Sequence, residues 1–395
     1  MTNSRLRILN ICGYSWNIGG PPKVIHDHAE VQVRHGAEVT ILTPISPGET
    51  VYPAPAGVRV VTCHRHWAAR FYPEFSPQLY RWLQRHGNDY DIIHVHGLWH
   101  FASLAPFWLT LKPAKVITIH GLLDPWAWRK SRWKKALFSE LFQRRIVRDT
   151  DLIQVTNPDE RADLRRYLGA DHPNVVLIPN GIKLSDYARL PERGAFRAVH
   201  GIASEQKIIL FLSRLNEKKG LDLLLPAFER LGRRRSDVTL ILAGPDDGAA
   251  GYVTRFIQEH GLQQRARLVG MLTGDVKLSA FVDADVFALP SYSEGFSIAA
   301  LEALAIGTPA LLSDRVGFGA QLREREAAYV LPDLSVDAVE TGLQTLLDQP
   351  ALSRQLAERG QRLVREQYDI EVVAEKLLHA FEQVVHRKTP RETTT

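Results

Sequence analysis

Short apolar runs alternate along the chain with segments whose apolar positions recur at helical spacing. Runs at residues 7–12, 39–43, 92–96, 116–120, 152–155 and 175–178 predict strands in the first half. Runs at 207–212, 238–243, 266–270, 286–289 and 310–313 do so in the second. A strand apolar at consecutive positions is covered on both faces, and strand–helix alternation implies parallel sheets. The pattern therefore predicts an α/β protein of two Rossmann-like, doubly wound domains. Pro179-Asn180-Gly181 is a strong turn signal, which sets a first domain at 1–181 and a second at 182–369. Residues 370–386 form a last amphipathic segment, and 387–395 a polar tail. Ligands of open α/β sheets gather at the carboxyl ends of strands, so two such domains facing across a cleft would hold the active site between them.

The densest chemistry lies at 290–309, which reads as loop, helix and stop. Ser297 suits an N-cap, Gly307 a helix end, and Pro309 bars continuation. Free N–H groups at such a terminus favour an anion, so a diphosphate fits against Gly295, Phe296 and Ser297. Glu294 leaves the loop beside it. Glu302 sits in a run with no other charge, 298–306, where a buried carboxylate needs hydrogen-bond donors such as ribose or sugar hydroxyls. After the strand 207–212 comes Ser213-Arg214-Leu215-Asn216-Glu217-Lys218-Lys219-Gly220. Arg214 offers a bidentate fork and Lys219 a mobile point charge, and together they can neutralise a diphosphate.

In the first half, His94 and His96 share a strand face, and His120-Gly121 ends another strand. No acidic or cysteine cluster completes a metal sphere around them, so hydrogen bonding is the simpler role. Gly19-Gly20-Pro21-Pro22 precedes a helix, where glycine permits close approach of backbone to a ligand. No dinucleotide, Walker or G-x-S-x-G fingerprint is present, which removes the main support for hydride transfer, ATP hydrolysis and serine-ester chemistry.

The E-x7-E spacing of Glu294 and Glu302 within S-E-G-F, together with the R-x4-K-G of Arg214 and Lys219, resembles the retaining nucleotide-sugar glycosyltransferases of the GT-B fold, the glycogen-synthase-like group 1 family. The resemblance covers nearly the whole chain and is more specific in the second half. It implies hexosyl transfer from a nucleoside-diphosphate sugar by front-face displacement, with Arg214 and Lys219 on the diphosphate, Glu294 on the sugar and Glu302 on the ribose. His120 would meet the donor sugar and His96 the acceptor side. Gly19, Gly20, Gly244, Gly270 and Met271 would line the donor, and segment 370–386 would cross back to the first domain. No metal or other cofactor is implied. Two departures bear on donor selectivity: residues 315–322 lack the commoner G-G-x-x-E arrangement, and Ser297 stands where glycine is frequent. Two other readings share the architecture, a nucleotide-sugar epimerase and a non-catalytic nucleotide- or glycan-binding protein.

Composition sets the location. The 395 residues carry 45% apolar and 24% charged side chains, as in an ordinary globular protein. Cys12 and Cys63 lie in apolar settings that suit reduced thiols. No run approaches a membrane span or signal peptide, so the expected place is the cytoplasm. Residues 1–190 hold 24 Lys and Arg against 16 Asp and Glu, leaving 25 against 28 for the rest. The first half is thus suited to an anionic surface, whether a membrane leaflet, an anionic acceptor or nucleic acid. Within it, Arg129, Lys130, Arg132, Lys134 and Lys135 lie among Trp126, Trp128 and Trp133, a composition that suits peripheral contact with an anionic membrane. With the family resemblance, the expected partners become a nucleotide sugar, a glycan or lipid-linked glycan acceptor and the inner membrane face, with no nucleic acid. A cell-surface or exopolysaccharide pathway is the expected setting.

Overall fold

Five of the six residues of the first strand, β1 (Arg7–Cys12), are buried, because helices cover both faces of the sheet to which it belongs. In the computed structural model, residues 5–16, 20–125 and 138–388 are described. The chain divides into two units, one of Met1–Ile182 with Ile370–Thr395, the other of Lys183–Asp369.

The first unit holds a seven-stranded parallel sheet. Its strands are β1, β2 (Glu38–Ile45), β3 (Val58–His64), β4 (Ile92–His96), β5 (Ala114–Thr118), β6 (Leu152–Val155) and β7 (Val175–Leu177). They lie in the order β3-β2-β1-β4-β5-β6-β7. The second unit has six strands, β8 (Lys207–Leu212), β9 (Val238–Ala243), β10 (Ala266–Gly270), β11 (Val286–Leu289), β12 (Ala310–Leu312) and β13 (Tyr329–Val330). Their order is β10-β9-β8-β11-β12-β13, and every pairing in both sheets is parallel. The winding direction reverses between β1 and β4 in one sheet and between β8 and β11 in the other. Loops leaving those paired strand ends diverge to opposite faces, which opens a crevice in each unit.

Two strands were invisible to the hydrophobic pattern. β3 is an edge strand carrying Arg59, Thr62 and His64, so it never forms an unbroken apolar run. β13 has only two residues. The run expected at 116–120 is shifted: β5 stops at Thr118, and His120 takes φ 54°, a left-handed conformation that a strand cannot contain. The runs expected at 175–178 and 310–313 each end one residue early, while 39–43 lengthens to Glu38–Ile45.

The C-terminal helix Ile370–Lys388 belongs to the first unit. Val373, Leu377, Ala380, Phe381 and Val384 join the core formed by Ile8, Val39, Ile92 and Val116. Its first amide donates to the Ile182 carbonyl at 3.0 Å, and Lys388 Nζ lies 2.6 Å from Asp151 Oδ2. Gly181 is required at this junction, since a Cβ there would come within 2.7 Å of Ile370 Cα. Cys12 and Cys63 are buried free thiols. Among the described residues no helix is long and apolar enough to cross a membrane.

Phe381 is fully buried against the first unit's sheet, with His94 5.2 Å from its ring centre. Truncating Phe381→Ala is expected to cost about 3–5 kcal/mol, the usual range for deleting a core aromatic ring. Hydrogen exchange checks which unit suffers: β1 and β4 should lose protection while β8 and β11 keep theirs. Equal loss in both sheets would contradict the placement of this helix.

Candidate functional site

In the second unit the loop after β8 and the loop after β11 close against each other. Gly220, at φ 70°, leaves no room for a side chain because a Cβ would collide with the Pro290 carbonyl. Gly244 does the same against the Ser213 carbonyl, and its amide donates to the Gly270 carbonyl at 2.8 Å. Three sites expected from sequence to line the donor are thereby brought to one end of the sheet: the β8 loop, Gly244 and Gly270. Met271 stands beyond them, 58% exposed.

Ser297 caps the helix Ile298–Ile306, accepting from the Ala300 amide at 3.2 Å. Gly295 and Phe296 lead into this cap from the loop after β11. Phe296 stacks near Phe318 and Tyr368, with ring centres 5.3 and 5.9 Å away, which fixes the loop from behind. Glu294 is held by its backbone: its amide donates to the Arg315 carbonyl at 3.0 Å, and Gly317 donates to the Glu294 carbonyl at 2.9 Å. The unusual 315–322 segment therefore acts as a clamp on the glutamate.

Lys219 departs from the expected mobile charge. It is 4% exposed, and its Nζ is bonded to Glu294 Oε2. Burial pushes its ammonium well below the ordinary range, and repulsion from Lys218 and Arg214 adds to this. Arg214 is exposed, with Nη1 2.6 Å from Asp247 Oδ2. Its other two guanidinium nitrogens have no protein partner among the described residues. Asn216 Nδ2 also donates to Asp247 Oδ2, at 3.1 Å, so the β8 and β9 loops are tied at this point.

Glu302 is buried at 6% exposure, and two of the donors that its burial requires come from the protein. Lys277 Nζ at 2.7 Å and the Tyr187 hydroxyl at 3.0 Å both donate to Oε1. Oε2 has no protein partner among the described residues and is the oxygen left for a ligand. Lys277, Tyr187 and Asp247 carried no signal in the sequence, because each reaches its partner from a different element 25 or more positions away.

The first unit contributes a buried histidine cluster. His96, placed on the acceptor side by the resemblance, is 6% exposed and has both ring nitrogens occupied: Nδ1 lies 3.1 Å from His120 Nε2 and Nε2 3.2 Å from Asn10 Oδ1. It stands behind His120 and has no nitrogen left for an acceptor. His94 Nε2 meets Thr118 Oγ1 at 2.6 Å, and the Thr118 hydroxyl donates to Gln154 Oε1 at 2.8 Å. His120 is half-buried at the rim. Its turn is held by Glu160, which accepts from the Gly121 amide through Oε1 and from the Thr156 amide, at 2.6 Å, through Oε2. Gly20, at φ 70°, precedes the helix Pro21–Arg34. Gly19 and most of the tryptophan- and lysine-rich segment, 126–137, lie outside the described residues.

Residues 192–363 match the family model described as glycosyl transferases group 1, and residues 18–186 match that of glycosyltransferase family 4. The chain is similar to phosphatidyl-myo-inositol mannosyltransferase of Mycobacterium leprae, with 28% identity over 96% of this chain and 97% of the relative. Among solved structures it resembles sucrose-phosphate synthase of Thermosynechococcus elongatus, with TM-score 0.79 and 21% identity, covering 97% of this chain and 100% of that one. It also resembles Anabaena HepE in complex with UDP-glucose, with TM-score 0.75 and 16% identity, covering 96% and 100%.

The histidine cluster makes the first unit acid-sensitive. Burial holds His120 down to about 3, and it holds His28, on the helix Pro21–Arg34 and lining the same cavity, to about 4; His94 and His96 lie well below their usual range. In the unfolded chain each titrates near 6.5, so between that value and the folded pKa the unfolded state binds more protons. Stability is fully present above pH 6.5 and falls as pH drops below it, by up to about 1.4 kcal/mol per pH unit for each group. Glu74, pushed up to about 7 by burial, opposes this with one proton. Thermal melts between pH 7 and 5 should show the loss, and His94→Gln should flatten the slope. A flat wild-type profile would refute the buried, neutral cluster.

Proposed function

The chain belongs to the group 1 glycosyltransferases of GT-B fold, and we propose that it moves a hexosyl group, with retention, from a nucleoside-diphosphate sugar to a glycan or lipid-linked glycan acceptor in cell-surface or exopolysaccharide synthesis. The observation that carries the donor assignment is the electrostatic state of the β8/β11 crevice. Lys219, Lys218 and Arg214 crowd one side, a helix N-terminus faces them, and burial weakens the Lys219 proton's hold. Such a site attracts anions: Glu294 and Asp247 pair with Lys219 and Arg214, and a diphosphate would take their place.

In this reading the anomeric C–O bond breaks with its electron pair passing to the diphosphate oxygen. Arg214, Lys219 and the amides near Phe296 take up the developing charge. The acceptor hydroxyl forms the new bond on the same face, and its proton passes to the departing diphosphate. Glu294 orients sugar hydroxyls, and Glu302 Oε2 accepts from the ribose. The two cations and the helix terminus supply the charge that a metal would otherwise bring, so turnover in excess chelator is part of the proposal. The name of the Mycobacterium leprae relative points to a lipid acceptor, and the HepE complex to a nucleotide-sugar donor.

Peripheral contact with an anionic membrane belongs to the same reading. Besides segment 124–138, exposed Trp67 and Phe71 flank Arg70, whose guanidinium carbon lies 4.9 and 4.7 Å from their ring centres. Co-sedimentation with anionic but not neutral vesicles at low salt is the expected result. Binding equal for both vesicle types would remove this part.

Replacing Lys219 or Arg214 by Ala is expected to cost about 2–4 kcal/mol of transition-state stabilisation, the scale for one preorganised charge donor. Glu302→Ala should weaken nucleotide binding, whereas Glu294→Ala should act mainly on turnover. Thermal shift with UDP- and GDP-sugars identifies the donor, and NMR of the product anomeric centre decides retention. Near-wild-type kcat/KM in both cation variants would overturn the diphosphate assignment.

A further inference from the structure

Four buried side-chain atoms of the first unit have no protein partner among the described residues: Asn10 Nδ2, His28 Nε2, Gln32 Oε1 and His94 Nδ1. The residues that carry them line one cavity of about 10 Å³. Asn10 and His94 are register partners on the neighbouring parallel strands β1 and β4, so their side chains leave the same face of the sheet. His28 and Gln32 stand one turn apart on the helix Pro21–Arg34, which covers that face. Buried polar groups are costly when unmade, and four around one small space call for a shared partner.

The state of His94 is fixed from outside the cavity. The Ile178 carbonyl only accepts, so the Gln154 atom 2.9 Å from it is the amide nitrogen, and Gln154 Oε1 is an acceptor. Thr118 gives its one hydroxyl hydrogen to that oxygen at 2.8 Å. The Thr118 oxygen must then accept from His94 Nε2, 2.6 Å away. Burial keeps the ring neutral with a single N–H, so His94 Nδ1 is a bare lone pair in need of a donor. Gln32 Oε1 is a second acceptor, and His28 donates once its hydrogen is on Nε2. Either end of the Asn10 amide could meet His96, and the count decides between them. With the nitrogen inward the cavity has two donors and two acceptors; with the oxygen inward it has one and three.

We propose that a single internal water occupies this cavity, donating to His94 Nδ1 and Gln32 Oε1, accepting from Asn10 Nδ2 and His28 Nε2, and so fastening the helix Pro21–Arg34 to β1 and β4. Two donors and two acceptors are the complement of one water, and the space holds about one. The water supplies the polar part of a helix–sheet contact whose apolar part is made by Ile25 and Ala29. A metal ion fits less well. The walls carry no carboxylate or thiolate, and Asn10 presents hydrogens where a metal needs lone pairs. The inference is independent of the proposed transfer reaction.

A high-resolution crystal structure of the wild-type protein tests the site. The expected result is one oxygen peak at hydrogen-bond distance, about 2.7–3.2 Å, from all four atoms. A dry cavity overturns the proposal, and so does a peak with anomalous signal at about 2.0–2.1 Å from the histidine nitrogens, which would be a metal. Histidine ¹⁵N shifts give an arm in solution, with His28→Phe and His94→Phe assigning the signals. Both rings should carry their hydrogen on Nε2 at neutral pH, and a hydrogen on His94 Nδ1 would refute the arrangement. Oxygen-17 relaxation dispersion counts long-lived internal waters. The variant His28→Leu with Gln32→Leu, which makes the helix side apolar, should hold one fewer than wild type, and an unchanged count would overturn the assignment. If that variant does not fold, the two wild-type measurements still decide.

Discussion

A lysine ammonium that is 4% exposed is tolerated only where an anion meets it, and the loops after β8 and β11 are organised around that requirement at Lys219. Glu294 meets it, reaching over from the loop after β11. The two loops can do so because Gly220 lets the β8 loop lie directly on the Pro290 carbonyl, where any side chain would collide. The clamp of residues 315–317 on the Glu294 backbone belongs to the same arrangement, since a carboxylate free to swing away would leave the ammonium uncompensated. One ion pair thus accounts for a glycine, a loop contact and a segment that looks irregular in the sequence.

The same logic recurs at lower intensity around it. Arg214, exposed, is matched by Asp247, and the pair contributes little to stability because water competes for both. Glu302 is buried and correspondingly better supplied, with Lys277 and Tyr187 on one oxygen. Both deep charges, Lys219 and Glu302, are met by an opposite charge. Glu294 and Glu302 each still present one oxygen without a protein partner among the described residues, so compensation uses one oxygen of each side chain.

Fold class and most strand positions were legible in the sequence because covered parallel strands must be apolar on both faces, as β8 and β11 are. β3 escaped because an edge strand has no such obligation, and β13 because two residues make no pattern. The local features were legible: the Ser297 cap, Glu294 in the loop before the helix with Glu302 inside it, and two cations in one loop. The site was illegible where partners come from elsewhere in the chain. Nothing near Glu302 announces Tyr187, and nothing near His96 announces Asn10, a side chain 86 positions away on the adjoining strand. The error over Lys219 has the same origin. A lysine in a polar loop reads as solvated until the tertiary structure buries it.

The ion pairs bear on the proposed donor site, where a diphosphate would exchange with carboxylates, Glu294 on Lys219 and Asp247 on Arg214, rather than meet bare cations. Part of its attraction would then be offset by the pairs that are broken. The diphosphate of a nucleotide sugar carries one charge on each phosphate, equal to the two carboxylates that it would displace, and it gains a further charge only as the sugar leaves. Exchange of this kind would therefore favour the departing diphosphate over the bound donor, which is the direction that catalysis requires.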